Sequence, residues 1–461
     1  MKKINFFRKV ILTKINSKDC FLHAGPNSVS PPPRLPRSRH SSGQSRDHHG
    51  ISIREERLCN RLYRLIKLQA RILCMHPDDE ETEAMLLDFI EVYIDRMYRR
   101  AHVLPRPVRR HITIANHVPE FCGEDYRFQS RSDVTRLFVS LHWPQRIGPF
   151  DNGQYLDGQI SFLYFIRRVT STCRVCDLIR EFGRDKSLWS RVFKWGVRFL
   201  ESEFEATLDE YHNEHVIRFP QYAEAIRVEV NKHLLAHGAP PGMLYRSLDI
   251  VGFIDNKCIS TCRPGSGPAH GGPGAPRRDP GGLLQRSVFN GWKHIHGFKT
   301  ETITAPNGLT MKAFNGVSLR HNDLFVLSLS DSNQKLADLQ MTGGVPNARQ
   351  FKIYGDSIYV PMSNLVSRHH AHAGHPQKAD LDRDDKAMSS VRETVEWEYA
   401  EGDALFPLSV YKNKIKLMNF PFRETFFARM WLRNCYVCCY GDKISKRFDL
   451  QPPTLEDMCS W

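Results

Sequence analysis

The chain has 461 residues, with 65 Lys and Arg against 51 Asp and Glu, a formal charge of +14 and an isoelectric point near 9.2. No run approaches the ~18 apolar residues of a spanning helix, and 12 cysteines scattered over this length suit a reducing compartment better than a disulfide framework. What remains is a nuclear or cytosolic multidomain chain whose basic excess fits a polyanionic partner, because Lys and Arg in a groove release counterions from nucleic acid.

Residues 1–18 carry Lys2, Lys3, Arg8, Lys9, Lys14 and Lys18 with no acid before Asp19, and read as an unstructured basic arm in preference to a transit peptide. The Pro31-Pro32-Pro33 stretch and the Ser/Arg/His run to Gly50 cannot build a core, so 1–50 is expected to be a disordered basic tail. Its Arg34, Arg37 and Arg39 suit nuclear import. Leu58, Leu62, Leu65, Ile66 and Ile72 then recur at helical spacing, and Pro77 opens a second helix with Asp78 to Glu81 at its positive end. A helical hairpin over 51–110 follows.

The region 111–244 is expected to be all-α. Phe162 to Ile166 form one helix, and Cys176 to Phe182 a second that Gly183 ends; a third begins near Ser187. A short helix, a glycine turn and a longer helix with basic and hydroxyl residues near its start is helix-turn-helix spacing. Lys186, Ser187, Ser190, Arg191 and Lys194 would then face phosphates or base edges, while the competing reading is a plain three-helix unit with a solvated basic face.

From Ser247 the pattern changes to strands. Leu248 to Ile254 is an apolar strand ending at Asp255; the segment Thr261 to Leu284 is too rich in Gly and Pro for a regular element and reads as a flexible loop. Phe298 to Thr304 and Leu309 to Phe314 make a hairpin through Ala305-Pro306-Asn307-Gly308, whose Asn-Gly supplies positive φ. Lys293, His296 and Lys299 flank this hairpin as further candidates for DNA contact. Phe351 to Tyr354 is a short buried strand, after which Gly355 allows a sharp turn and presents Asp356 at the strand's end. Arg392 to Trp397 lies on a helix with Glu396 available to a site.

Two strand-borne aspartates and a later helix-borne glutamate are what an RNase H-like nuclease uses to hold two magnesium ions, hard cations that prefer oxygen. The rivals are Asp249, too far back along the strand, and Asp323 in Arg320-His321-Asn322-Asp323, which with His321 is a secondary candidate for positioning substrate. Glu393 and Glu398 lie close to Glu396 on the same helix. Zinc is the weaker metal reading. Cys173/Cys176 and Cys435/Cys438 are both C-x2-C, but in apolar helical surroundings where cysteine is an ordinary core residue, and His369, His370, His372 and His375 fall in a polar loop.

The ordered set Asp255-Asn256, Arg320-His321-Asn322-Asp323, Gly355-Asp356-Ser357 and Arg392 through Glu396-Trp397 resembles the PIF/Harbinger transposase-derived DDE nucleases over about 245–457. Asn290-Gly291-Trp292-Lys293 and Lys386-Ala387-Met388-Ser389-Ser390 agree with it, whereas Ile358 stands where the family carries a small residue. The resemblance implies Asp255, Asp356 and Glu396 as the catalytic and metal-binding triad, two Mg or Mn ions as cofactor, double-stranded DNA as substrate, and a Myb-like DNA-binding helper protein as partner. The expected fold is an α/β RNase H-like nuclease domain, a mixed sheet flanked by helices, preceded by an all-α helix-turn-helix region. The alternative is a catalytically silent DNA-binding relic of a transposase.

Overall fold

A computed structural model describes residues 111–151, 153–240, 249–264, 282–341, 350–369, 374–417 and 419–460. The basic tail and helical hairpin expected over 1–110, most of the Gly/Pro-rich loop (265–281), and His370 and His372 lie outside the described residues.

The longest strand, β1 (Asp249–Ser260), is apolar and fully buried from Ile250 to Ile254, and two ladders form on it. On one side runs β2 (Ile295–Thr304), antiparallel, with Phe253 opposite Thr304 and Ser260 opposite Gly297. Next to β2 lies β3 (Thr310–Ser318), again antiparallel. On the other side β4 (Phe351–Tyr354) runs parallel to β1, and β5 (Leu365–Val366) parallel to β4. The sheet order is therefore β3-β2-β1-β4-β5, with Phe289–Asn290 adding a short ladder at the start of β2.

The expected hairpin is present and longer than its apolar residues suggest. Gly308 takes φ 88°, and Ala305 and Leu309 close the turn with an N–H···O bond of 2.8 Å. Nor does β1 stop at Asp255 as expected: it continues through Ser260, because Asn256 to Ser260 each have a partner on β2 although their composition is mixed. β4 does stop, at Tyr354 beside Phe253. Just past that point β1 has lost its parallel neighbour, and the sheet opens an edge.

Helices cover both faces. Among the described residues they include α1 (Arg131–Ser140), α2 (Gly158–Val169), α3 (Val175–Phe182), α4 (Lys186–Asp209), α5 (Phe219–Ala236), α6 (Asp323–Ser330), α7 (Ser332–Met341), α8 (Lys378–Arg392), α9 (Thr394–Leu405), α10 (Phe422–Tyr440) and α11 (Lys443–Phe448), of which α1 and α3 pack on other helices. Ile250, Phe253 and Tyr354 pack with Ile226 and Val230 of α5, Met388 of α8 and Tyr399 of α9. Val251, Ile254 and Ile303 join a different cluster with Leu327 of α6 and Leu336 of α7.

The expected helix, glycine turn and longer helix are α3, Gly183 and α4. Gly183 sits at φ 72°, and the Asp185 carboxylate caps α4 by accepting from the Ser187 and Leu188 N–H groups at 2.8 and 3.0 Å. Trp189 fixes the pair from inside, stacked on Tyr164 with ring centroids 4.3 Å apart. Farther along, α4 lies against α10, where Phe204 stacks on Trp431 at 4.5 Å. Helices from the region before the sheet are thus built into the same core as β3, and the described residues form one unit.

Candidate active site

Asp255 and Asp356 stand at the open edge beyond Tyr354. Counting on from the last register pair, Phe253 with Tyr354, Asp255 stands two residues farther along β1 and Asp356 two residues past the end of β4. Side chains alternate along a strand, so Asp255 shares the face of Phe253, the face that α8 and α9 cover. The α9 residue Tyr399 confirms this by donating its hydroxyl to the Asp255 carbonyl at 2.9 Å, while accepting from Thr302 at 2.9 Å.

Asp356 is fixed by a turn. Gly355 N–H donates to Val366 O at 2.9 Å, Ile358 N–H to the Asp356 carboxylate at 3.0 Å, and Tyr359 N–H to Asp356 O at 3.2 Å. The buried Tyr359 ring lies over Gly355, where a Cβ would come within 2.5 Å of it. Its hydroxyl accepts from the Asn256 side chain at 2.7 Å, so the residue after Asp255 grips the turn that carries Asp356. Ile358 is 42 % exposed, which is how the turn accommodates a large residue there.

Glu396 lies in the first turn of α9 and is exposed. Its carboxylate is 4.0 Å from the Arg392 guanidinium. Asp255 feels the other two: burial raises its pKa to about 6, the Asn256 N–H and the Arg392 charge oppose the rise, and the Asp356 and Glu396 charges add to it. The rivals are accounted for elsewhere. Asp249 bonds Arg227 at 2.8 Å, Glu393 is exposed at the α8–α9 junction, and Glu398 is fully buried, accepting from the hydroxyls of Thr304 and Thr310.

Of the residues expected on DNA, Lys186, Ser190 and Lys194 are exposed along α4, with Ser190 Oγ donating to Lys186 O at 3.0 Å. Arg191 is half-buried over the Phe150 ring, 6.0 Å from its centroid. Lys293 is exposed, and its ammonium lies 3.4 Å from Cys258 Sγ. His296 is half-buried against Phe289, and burial together with the Arg263 and Lys412 charges lowers its pKa. Lys299 departs from expectation. It stands opposite Cys258, shares the sheet face of Asn256, and is buried in an ion pair with Asp323. That pair takes both Lys299 and Asp323 away from the Asp255 face. His321 stacks on Phe325 at 4.0 Å beside them.

The cysteines are core and surface residues, as expected, except that Cys173 precedes α3 and Cys176 is exposed. His369 is bonded to Asp385 at 2.8 Å. Among the described residues no three His, Cys, Asp or Glu side chains stand close enough to grip an ion as they are. In kind, however, the Asp255, Asp356 and Glu396 set fits a hard divalent cation: all its donors are carboxylate oxygens, and a cation would offset the burial and the repulsion that raise Asp255. Sequence reading alone missed Tyr359, Asn256, Tyr399 and Arg392 as the residues that hold these acids; the alternation of Asp255 and Asn256 onto opposite faces was the available signal. Comparison of the chain with protein-family models, curated proteins and solved structures gives no match.

Proposed function

We propose that the chain is a divalent-metal-dependent DNA nuclease of the Harbinger type, hydrolysing or transferring phosphodiester strands of duplex DNA. The observation that carries this reading is the placement of Asp255 and Asp356 side by side past the last register pair of β1 and β4, where β4 stops, with the Asp356 and Glu396 charges both raising the pKa of Asp255. The strand order β3-β2-β1-β4-β5, with β2 alone antiparallel to β1 and β3, β4 and β5 running with it, supports an RNase H-like core. Asp255, Asp356 and Glu396 would hold two Mg or Mn ions, which when bound activate the attacking oxygen and stabilise the leaving one. The chain's own residues prepare the site. Asn256 and Tyr359 set Asp356 beside Asp255, Tyr399 holds the Asp255 backbone, and Arg392 restrains Glu396 until a cation competes for it. The reading carries with it a nuclear location and, through the resemblance, a Myb-like helper protein.

A DNA-binding protein that keeps this fold without cutting is the second reading. It draws on Glu396, whose side chain is 63 % exposed and already faces Arg392. The purified chain and Asp356→Asn separate the two. With Mg or Mn the wild type should nick or cut duplex DNA and the variant should lose this by orders of magnitude, while duplex binding in EDTA survives or tightens because a charge facing phosphates has gone. Calcium should bind without supporting cleavage, since its looser geometry misplaces the attacking oxygen. A wild type that binds duplex but neither cuts nor gains melting temperature with Mg leaves the second reading standing.

A further inference from the structure

Two stretches of the chain are basic and nearly free of carboxylates. One is 256–300, in which Asp279 is the sole acid and lies outside the described residues; the other is 404–423, which has none. They are far apart in sequence and the fold brings them together. Cys262 N–H donates to Ile415 O at 2.9 Å, Cys262 Sγ to Lys412 O at 3.1 Å, and Thr261 N–H to His296 O at 2.8 Å. Three of their cations are spent on structure: Lys257 with Asp403, Lys299 with Asp323, and Arg423 with Glu201 and Glu205. The exposed Arg263, Arg286, Lys412 and Lys416 have no carboxylate within 4 Å among the described residues. Arg263 and Lys412 both disfavour protonation of His296, so their field overlaps at this end of β1 and β2.

Within this face stands Trp292, 90 % exposed yet rigidly presented. The Asn290 side chain accepts from the Trp292 and Lys293 N–H groups at 3.0 and 2.7 Å and donates to Leu319 O at 2.8 Å. An indole open to solvent among unpaired cations is the equipment for stacking on a base while neighbours hold phosphates. Thr261 follows Asp255 along the same strand, roughly 20 Å away at ~3.3 Å per residue. A duplex with a base pair every ~3.4 Å would lead from this face to the acids within about one turn.

We propose that the basic face formed by Arg263, Arg286, Trp292, Lys412 and Lys416 binds DNA, as a surface separate from both α4 and the carboxylate site. It deepens the proposed function by naming where substrate is held, and it rests on that reading only for the identity of the polyanion. Leu283 and Leu284 are exposed beside Arg286, so a lipid surface is the alternative the test must separate; an exposed indole among cations without carboxylate partners favours nucleic acid.

The test measures binding of the full chain to a fluorescent duplex in EDTA as salt is raised. Arg263→Gln/Lys412→Gln/Lys416→Gln should bind at least about tenfold more weakly near 0.1 M salt and flatten the log–log slope by about 0.9 for each phosphate no longer neutralised. Lys443→Gln/Lys446→Gln, exposed on α11, shows what charge removed away from this face does. An unchanged slope in the triple variant overturns the proposal, and so does an equal weakening in this double variant. Vesicles of phosphatidylserine and phosphatidylcholine form the other arm; loss of vesicle binding with DNA binding retained would assign the face to a membrane instead. Duplex should also quench part of the tryptophan fluorescence of the wild type, and Trp292→Phe should lack that part; equal quenching in both removes DNA from this face. All arms are read without metal, so a chain that binds here and never cuts loses only the nuclease reading, and one that cuts with the face neutralised loses only this proposal.

Discussion

Asp255 is a carboxylate that the folded chain holds against its own interest. Its pKa stands near 6 in the fold, against about 3.9 in an unfolded chain, so the folded state keeps its proton longer. The resulting penalty is absent below roughly pH 4, grows as pH rises through 6 and is complete at pH 7, where two pKa units correspond to at most about 3 kcal/mol. Partial exposure of the residue makes the real figure smaller. Asp255→Asn removes the penalty. In EDTA at pH 7.5 the variant should melt several degrees above the wild type, and the two should converge near pH 4; a variant that melts lower at pH 7.5 would show that the acid is stabilised by partners instead. Adding Mg should stabilise only the wild type. Gly355→Ala acts on the neighbouring turn. A Cβ there would sit 2.5 Å from the Tyr359 ring and 3.0 Å from Ile254, a clash worth about 1–3 kcal/mol that denaturant melts should register.

Among the elements, α4 is where the expected DNA contact is best placed and most easily refuted. Lys186 and Lys194 are exposed, whereas Arg191 rests on Phe150 and is partly structural. Lys186→Gln/Lys194→Gln should therefore lower the salt slope of duplex binding by about 0.9 per phosphate released, with little change in melting temperature, while Arg191→Gln should cost stability as well. Gly183 and the Asp185 cap made this helix pair legible in the sequence, as Asn307-Gly308 did the hairpin and Gly355-Asp356 the carboxylate turn. Local chemistry sufficed in each. Lys299 was illegible because its partner, Asp323, comes from the following helix and only the sheet register turns both to one face. The extension of β1 to Ser260 was hidden for a related reason: strand pairing, rather than apolar periodicity, sustains Asn256 to Ser260. Sequence could nominate Asp255, Asp356 and Glu396 as a proposal, but not the Arg392 guanidinium 4.0 Å from Glu396, which needs the α8–α9 junction in three dimensions.

Across the whole molecule, the site is mounted on a buried ionic framework. Arg433 of α10 is fully buried and bonds Gly308 O at 2.5 Å, Asp442 at 2.6 Å and Glu401 at 2.8 Å, joining the hairpin turn to α9 and α11. Arg433→Met leaves Asp442 buried without its cation, so it should destabilise the unit by about 3–5 kcal/mol, seen as a lower urea midpoint with the cooperative transition preserved. A decrease of less than about 1 kcal/mol would mean that the framework relaxes around the gap. The same framework gives the two glutamates of α9 different masters. Glu398, packed inward onto Thr304 and Thr310, is demanded by folding itself, while Glu396, two residues away and exposed, is demanded only by whatever chemistry the protein performs. A lineage that ceased to need that chemistry would be released to drift at Glu396, and even rewarded in stability for drifting at Asp255, while Glu398 stayed under constraint. On the proposed reading, loss of cutting would leave no scar in the architecture, and the shape would outlive the reaction.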